Sequence, residues 1–389
     1  MDRSTQQIVA YFIREESATI PEIAARLGVS IGTATKEIGR LLEEGLVTEC
    51  GKADTGSGRK PMRYALAPEA GYYAGIDLND KYVSFGLMDM SGTMVKQRIN
   101  VAYKLENTMS ALRALIDVVA DFRHRIPQYH GKIRRVCVNI PGRINHLTGY
   151  SHTNFNFTDR PLTDILSKHF GVPTSICNDT HAMTYAEYLK GSDHREENMI
   201  FINVNWGLGT GMILNGRLYF GRSGYSGEFG HIHIYDNEII CRCGKKGCLE
   251  TEVSGQALRR KLIARIKAGE SSILSGRVLR SDTPLTLEEI TDAVRREDNL
   301  CIDAIEEIGA LLGVQVANMM NIFNPELVVI GGELAMTGDY LLQPLKTAVN
   351  KHVLNRVRED TTVRMSRLGE DAGVIGGCLM ARSVDFGLL

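Results

Sequence analysis

Residues 203–231 read NVNWGLGTGMILNGRLYFGRSGYSGEFGH, and the rest of the 389-residue chain is read outward from them. An apolar strand at 199–204 runs into Gly207, Gly209 and Gly211, glycines at every second position, before a second strand at 211–214. Such a loop can turn backbone N–H groups toward an anion, and alternating glycines also serve ordinary tight turns. Directly downstream, GHIHIYDNEIICRCGKKGCLE sets His231 before Cys241, Cys243 and Cys248. Three thiolates and one imidazole satisfy a tetrahedral Zn2+, and four protein ligands leave no open position, so the expected zinc is structural. His233 competes as the imidazole, because the alternation HIHI puts both histidines on one face of a strand.

Working outward, apolar runs predict further strands at 73–78, 83–88, 95–101, 135–140, 174–177 and 327–330, and 3.6-residue periodicity predicts helices near 107–126, 161–169, 180–190, 253–269, 286–296, 299–322 and 340–350. This alternation is that of an α/β fold. Three strands in a meander followed by a helix occur once after residue 72, and a similar glycine-edged pattern returns at 199–220, which suggests two related lobes with a ligand cleft between them. Asn178-Asp179 follows an apolar strand and opens a helix. A carboxylate there can accept from a sugar hydroxyl or serve as a base, and it is equally an ordinary helix cap. Glu228 and Glu250 flank the cysteine loop, either as a preorganised hydroxyl-reading pair or as solvated surface acids. The stripe Ile305, Ile308, Leu312 and Val316 on the helix at 299–322 reads as core or as a subunit interface.

Residues 1–68 differ in texture. Ile8, Val9, Phe12 and Ile13 give a first helix one apolar face; Thr19 and Glu22 form a capping box for a second; Ser30 caps a third whose Ala34, Ile38, Leu41 and Leu42 face inward. A short strand, a Gly/Ser/Asp-rich tip and a second strand carrying Arg59, Lys60 and Arg63 follow, so the segment reads as a winged helix-turn-helix. Its third helix would enter the major groove with Ser30, Thr33, Thr35 and Lys36 exposed, while the basic wing reaches phosphates or the minor groove. A small helical interaction module is the alternative.

Lys plus Arg number 45 against 46 Asp plus Glu, so no global field holds a polyanion and any nucleic-acid contact is local. No stretch reaches the length of a membrane span and the N-terminus has no signal-peptide pattern, which places the expected protein in the cytoplasm without membrane insertion. Cys50, Cys137, Cys177, Cys301 and Cys378 lie far apart and read as reduced, mostly buried thiols.

These residues resemble the ROK family of repressors and sugar kinases over 72–389, with Gly207-Leu208-Gly209, Gly211, Gly221, Gly227 and Gly230-His231 fitting its signature and the cysteine spacing agreeing. With the winged helix ahead of them, the whole chain resembles ROK transcriptional regulators of the xylose and N-acetylglucosamine repressor kind. The resemblance implies a multi-domain α+β chain: a winged helix-turn-helix at 1–68, then a two-lobed actin-like (ribonuclease H-like) domain with lobes at 72–185, completed by a C-terminal helix at 372–389, and 186–371, which holds the zinc loop. It favours His231 over His233 as the ligand. It places a sugar or sugar phosphate on Gly142, Arg143, Asn154, Asn178, Asp179, Glu228, His231 and Glu250, with Asp179 as the base wherever kinase activity persists. Double-stranded operator DNA is the expected macromolecular partner, for a homodimer or homotetramer. The phosphate loops depart from the family's kinases: Asp77-Leu78 runs into Asn79-Asp80-Lys81, and Asn205-Trp206-Gly207 stands where a glycine-threonine-glycine is usual. Side chains there obstruct phosphate and the Asp80 carboxylate repels it, so ATP binding is not expected, although Gly331 and Gly332 remain. The resulting expectation is a sugar-responsive regulator, a repressor of carbohydrate uptake or catabolism genes. The alternatives are an ATP-dependent sugar kinase with a fused DNA-binding domain, and a regulator sequestered by a protein partner.

Overall fold

The computed structural model describes residues 3–52, 60–193, 196–281 and 283–389. The first helices are α1 (Arg3–Glu15), α2 (Ile20–Leu27) and α3 (Ile31–Glu43). The apolar periodicity predicts their inner faces: Ile8, Val9, Phe12 and Ile13 on α1 and Ala34, Ile38 and Leu41 on α3 are buried, with Leu42 half-buried. The starts of α2 and α3 are fixed by side chains that satisfy orphan backbone donors. Thr19 N–H donates to the Glu22 carboxylate over 2.7 Å, and Thr33 N–H donates to Ser30 Oγ over 3.1 Å. Three strands complete the module, β1 (Ser17–Thr19), β2 (Val47–Lys52) and β3 (Met62–Leu66), antiparallel in the order β1-β3-β2. The sequence pattern shows only two of them, because the three residues of β1 are strand only through their pairing with residues 63–65.

Two compact units emerge, residues 1–189 with 372–389, and residues 190–371. The first holds the winged helix and a five-stranded sheet. Its elements are β4 (Tyr72–Leu78), β5 (Tyr82–Asp89), β6 (Met94–Ala102), α4 (Met109–His124), β7 (Ile133–Ile140), the small hairpin β8 (Ile144–Asn145) and β9 (Tyr150–Ser151), α5 (Leu162–Phe170), β10 (Thr174–Asn178) and α6 (Asp179–Ala186). The sheet order is β10-β7-β4-β5-β6: an antiparallel meander with two parallel strands added on the far side of β4. A π-helical turn at Glu187–Gly191 carries the chain out of this unit.

The second unit contains β11 (Met199–Val204), β12 (Leu208–Leu214), β13 (Arg217–Leu218), α7 (Gly255–Lys267), α8 (Ser275–Arg280), α9 (Leu287–Arg295), α10 (Asn299–Phe323), β14 (Leu327–Gly331), α11 (Asp339–His352), α12 (Asn355–Asp360) and β15 (Thr362–Met365). Its sheet runs β13-β12-β11-β14-β15, so numbering strands within each unit gives 3-2-1-4-5 in both. The duplication suggested by the glycine-edged pattern is therefore a shared sheet topology. The stripe Ile305, Ile308, Leu312 and Val316 lies wholly in this unit's core, which leaves it no surface to offer a second copy. The chain then re-enters the first unit as α13 (Ala372–Asp385), which packs on β4 so closely that a Cβ on Gly75 would come within 2.5 Å of the backbone at Val374 and Cys378. Among the described residues no helix is long and apolar enough to cross a membrane. Of the five scattered cysteines, Cys137, Cys177, Cys301 and Cys378 are buried and Cys50 is exposed.

Candidate functional site

Three groups of expected site residues can be placed. In the first unit, Asn178 caps α6, its Oδ1 accepting from His181 N–H over 3.0 Å. Its Nδ2 donates to the Gly142 carbonyl and to Asp179 Oδ1, each over 2.9 Å. Arg143 N–H donates to Thr153 Oγ1 over 3.0 Å, and Asn154 Nδ2 to the Pro141 carbonyl over 2.9 Å. One hydrogen-bonded net thus gathers Gly142, Arg143, Asn154, Asn178 and Asp179 around the ends of β7 and β10. Asn154 and Asn178 spend their amides building that net, and Arg143 is exposed beside it.

Asp77, one strand away on β4, was not among the expected site residues. Its Oδ1 accepts from Asn139 Nδ2 over 3.0 Å. Burial pushes its carboxyl up to about 7, against the Asn139 hydrogen bond and with the Asp179 charge adding to the rise. An unfolded Asp titrates near 3.9, so the fold favours the protonated form; that stabilisation is fully present below about pH 4 and is lost as pH climbs through 7. Asp77→Asn keeps an acceptor for Asn139 and removes the titration. Thermal melts at pH 5.5 and pH 8 should show the variant gaining on the wild type at the higher pH; parallel shifts at both would uncouple Asp77 from the pH dependence.

The second unit holds the other two acids and the cysteine loop. His231, Cys241, Cys243 and Cys248 offer four donor atoms that lie within 4.8 Å of one another, a cluster able to hold a metal ion, and His233 is not part of it. Cys241 Sγ is 3.4 Å from His231 Nδ1, and Cys243 Sγ is 3.6 Å from Cys248 Sγ. The other imidazole nitrogen, Nε2, lies 3.6 Å from Glu228. Glu250 spans two features: Oε1 sits 3.4 Å from Cys241 Sγ, and Oε2 accepts from Leu208 N–H over 3.0 Å. The segment ending in Glu228 and His231 is held down at Gly227, where φ is +79° and a Cβ would lie 1.9 Å from the Thr210 carbonyl, so no other residue fits.

The glycine run differs from its expected form. Gly209 and Gly211 are inside β12, paired with Asn203 and Phe201, so their backbone groups belong to the ladder rather than to an anion-binding loop. The turn itself is closed by side chains. Trp206 N–H donates to Asn205 Oδ1 over 2.8 Å, Leu208 N–H to Glu250, and the Trp206 ring is covered by the Arg259 guanidinium at 4.5 Å. In the first unit Asn79 Oδ1 likewise accepts from Lys81 N–H and Tyr82 N–H, over 2.9 and 2.7 Å. At both places a side-chain oxygen takes backbone donors that a phosphate would need. The Asx turn was a readable signal, since Asn directly after a strand commonly bonds its own backbone. Gly331 and Gly332 have packing reasons to persist: a Cβ on Gly331 would enter the Phe201 ring, and one on Gly332 would meet the Val204 carbonyl at 2.5 Å.

On the winged helix, Ser30, Thr33, Thr35 and Lys36 are all exposed along α3. Thr35 Oγ1 donates to the Ile31 carbonyl over 2.8 Å. Lys60 is exposed on the wing, and Arg59 lies outside the described residues. Arg63 departs from expectation: its guanidinium donates to Ser17 Oγ and the Ser17 carbonyl over 3.0 and 2.5 Å and lies 3.6 Å from Glu22, so it braces β1 against α2.

The ROK family profile matches residues 73–384, and a winged helix-turn-helix DNA-binding profile matches residues 1–48. The xylose repressor of Bacillus spizizenii is 28% identical over 358 residues, covering 91% of this chain and 88% of the repressor. A glucokinase of Halalkalibacterium halodurans is 30% identical over 314 residues, covering 79% of this chain and 93% of that enzyme. The crystal structure of a ROK family transcriptional regulator, a homologue of the Escherichia coli MLC protein, superposes with a TM-score of 0.81 at 26% identity, covering 99% of this chain and 98% of that one.

Proposed function

The chain belongs to the ROK family, and from that premise we propose that it is a sugar-responsive, DNA-binding transcriptional regulator, a repressor of genes for carbohydrate uptake or catabolism. The observation that carries this reading is the pairing of a winged helix with a ROK domain whose phosphate loops are closed on their own side chains. Phosphoryl transfer depends almost wholly on positioning and charge stabilisation, to which backbone donors in such loops contribute. The alternative, an ATP-dependent sugar kinase with a fused DNA-binding domain, would require Asn79, Asn205 and Glu250 to give up those bonds.

The effector is a hexose, amino sugar or sugar phosphate. Asp179 and Asn178, with Gly142, Arg143 and Asn154, supply one set of contacts, and Glu228, His231 and Glu250 the other. On α3, Ser30, Thr33, Thr35 and Lys36 read the major groove, and Arg59 and Lys60 hold backbone phosphates; Arg63 serves the wing's own structure. A protein that reads chromosomal operators works in the cytoplasm, and as a dimer it would meet a twofold site.

The metal is Zn2+ in a structural role. Tetrahedral zinc with Zn–S near 2.3 Å and Zn–N near 2.0–2.1 Å separates two sulfurs by about 3.8 Å and a sulfur from a nitrogen by about 3.5 Å. The 3.6 Å and 3.4 Å found between these donors fit that ion. When bound, it cross-links the loop and supplies no open coordination position for chemistry. Glu228 beside Nε2 orients the imidazole, a common second partner for a metal-bound histidine.

The test is to incubate purified protein with fragmented genomic DNA of its source organism, sequence what is retained, and repeat with candidate sugars. A few palindromic sites beside sugar-utilisation genes, released by one sugar, are expected. Asp179→Ala should retain the same DNA and lose release by that sugar; a variant that still responds normally would remove Asp179 from the sugar site. Failure to enrich any sequence would overturn the regulator reading itself.

A further inference from the structure

The second unit carries a basic cavity that shares no residue with the site above. It has a volume of about 210 Å³ and is lined by Met320, Lys346, Val349, Asn350, Arg358, Thr361, Thr362 and Val363. Met320 comes from the last turn of α10, Lys346, Val349 and Asn350 from α11, Arg358 from α12, Thr361 from the residue after α12, and Thr362 and Val363 from β15. It lies at the Leu327–Thr362 end of the β14–β15 ladder, whereas Gly331 and Gly332 lie at the opposite end of β14.

The charges of this cavity are not used by the fold. Among the described residues neither the Lys346 nor the Arg358 side chain has an ion-pair or hydrogen-bond partner, although the same unit pairs Lys261, Arg265, Arg277 and Arg356 with carboxylates. Of the two acids beside the lining in sequence, Glu359 pairs with Arg356 at 3.0 Å and Asp360 takes a hydrogen bond from Asn324 Nδ2 at 3.4 Å. Thr361 is likewise committed, donating to the Pro325 carbonyl over 2.6 Å. Two unpaired cations, the Asn350 amide and the exposed Thr362 hydroxyl remain around a floor of Met320, Val349 and Val363. Cationic and neutral donors sharing a cavity with apolar side chains suit an anion that carries a small carbon skeleton.

We propose that this cavity is a binding site for a small phosphate-bearing anion, held by Lys346 and Arg358. The phosphate group is the recognised chemistry, and its source is either inorganic phosphate or a phosphorylated metabolite. An effector here would reach the regulator independently of the sugar contacts at Asp179, Glu228 and Glu250.

Calorimetric titrations at constant ionic strength with inorganic phosphate, glucose 6-phosphate and glucose, on wild type and on Lys346→Met, Arg358→Met and Asp179→Ala, test this. Both cations lie at or near the surface, so the methionine variants should fold, and their melts are checked first. Wild type and Asp179→Ala should bind phosphate or glucose 6-phosphate alike, and each methionine variant should bind ~10-fold more weakly. Equal binding of the two phosphates assigns inorganic phosphate, and tighter glucose 6-phosphate assigns the organic ligand. Glucose 6-phosphate affinity lost in Asp179→Ala but kept in the methionine variants would place the anion in the sugar site and overturn this proposal while leaving the regulator reading intact. Absence of binding by either phosphate to wild type would overturn it outright.

Discussion

Cys248→Ser is expected to empty the metal cluster and lower the melting temperature of the chain by on the order of 10 °C. Cys248 is 1% exposed and sits where the loop rejoins the core, immediately before Leu249, which is fully buried. Between His231 and that point the chain forms no regular helix or strand; it holds the isolated bridges His233–Cys248 and Ile240–Lys246 and scattered hydrogen bonds, such as Ile234 N–H to the Gly247 carbonyl over 2.8 Å. In the stretch between His231 and Cys248, Ile234 and Tyr235 pack against the core, but Ile240 is 69% exposed and Ile232 is 39% exposed, so the middle of the loop gains little from hydrophobic burial. A metal ion in the cluster would supply the order that packing does not supply around Ile240. The loss should spread to Glu250, whose carboxylate links Cys241 to Leu208 N–H, so sugar affinity should fall with it. Elemental analysis should find about one zinc per wild-type chain, and chelation should reproduce the variant's melt. Cys50→Ser, at an exposed thiol away from the cluster, is the control and should melt like the wild type. A Cys248→Ser protein that melts with the wild type, or a wild type without stoichiometric metal, would take the ion out of the fold.

The sequence made visible those parts of this molecule that are settled by neighbours in the chain. Thr19 with Glu22 and Ser30 with Thr33 cap helices through residues three apart, and the hydrogen bonds form as the spacing implies. The three cysteines were legible as ligands because their spacing and thiolate chemistry admit few other purposes, while the choice of His231 over His233 came from the family resemblance. Features fixed by long-range pairing were not legible. Ser17–Thr19 becomes a strand only against β3, and Arg63, read as a DNA contact, is drawn inward by Ser17 forty-six residues earlier. Gly209 and Gly211 read as part of an anion-facing loop or of a tight turn, because glycine alternation does not reveal whether the backbone is already paired. The same holds for Glu250, whose role in closing the turn at Leu208 depends on the fold bringing together residues forty-two apart.

Replacing Gly39 by alanine is expected to stabilise the winged helix and weaken its hold on DNA, two effects that normally do not travel together. Gly32 and Gly39 are seven residues apart on α3, two helical turns, and so share a face with Lys36 between them. That face is opposite the buried Ala34, Ile38 and Leu41. Neither glycine has positive φ. A Cβ on Gly39 would meet nothing within 4 Å, and one on Gly32 would come no nearer than 3.8 Å, to Ser30 Oγ. Among the described residues nothing therefore requires glycine at either place, yet a glycine inside a helix costs ~1 kcal/mol relative to alanine. Docking supplies a reason. A helix with side chains is about 10–12 Å across and the major groove about 12 Å wide, so bare backbone at the apex lets α3 sit deeper while Lys36 reaches an acceptor. Gly39→Ala should raise the melting temperature of the module and weaken binding to the DNA sites recovered from the genome by ~10-fold, with Gly32→Ala acting in the same direction. Lys36→Ala should weaken binding without the gain in stability, and if Lys36 contacts a phosphate it should reduce the salt slope by about one. Thermal melts and fluorescence anisotropy on the same preparations decide the matter: glycine variants that gain stability and keep full affinity would mean that α3 does not enter the groove through this face.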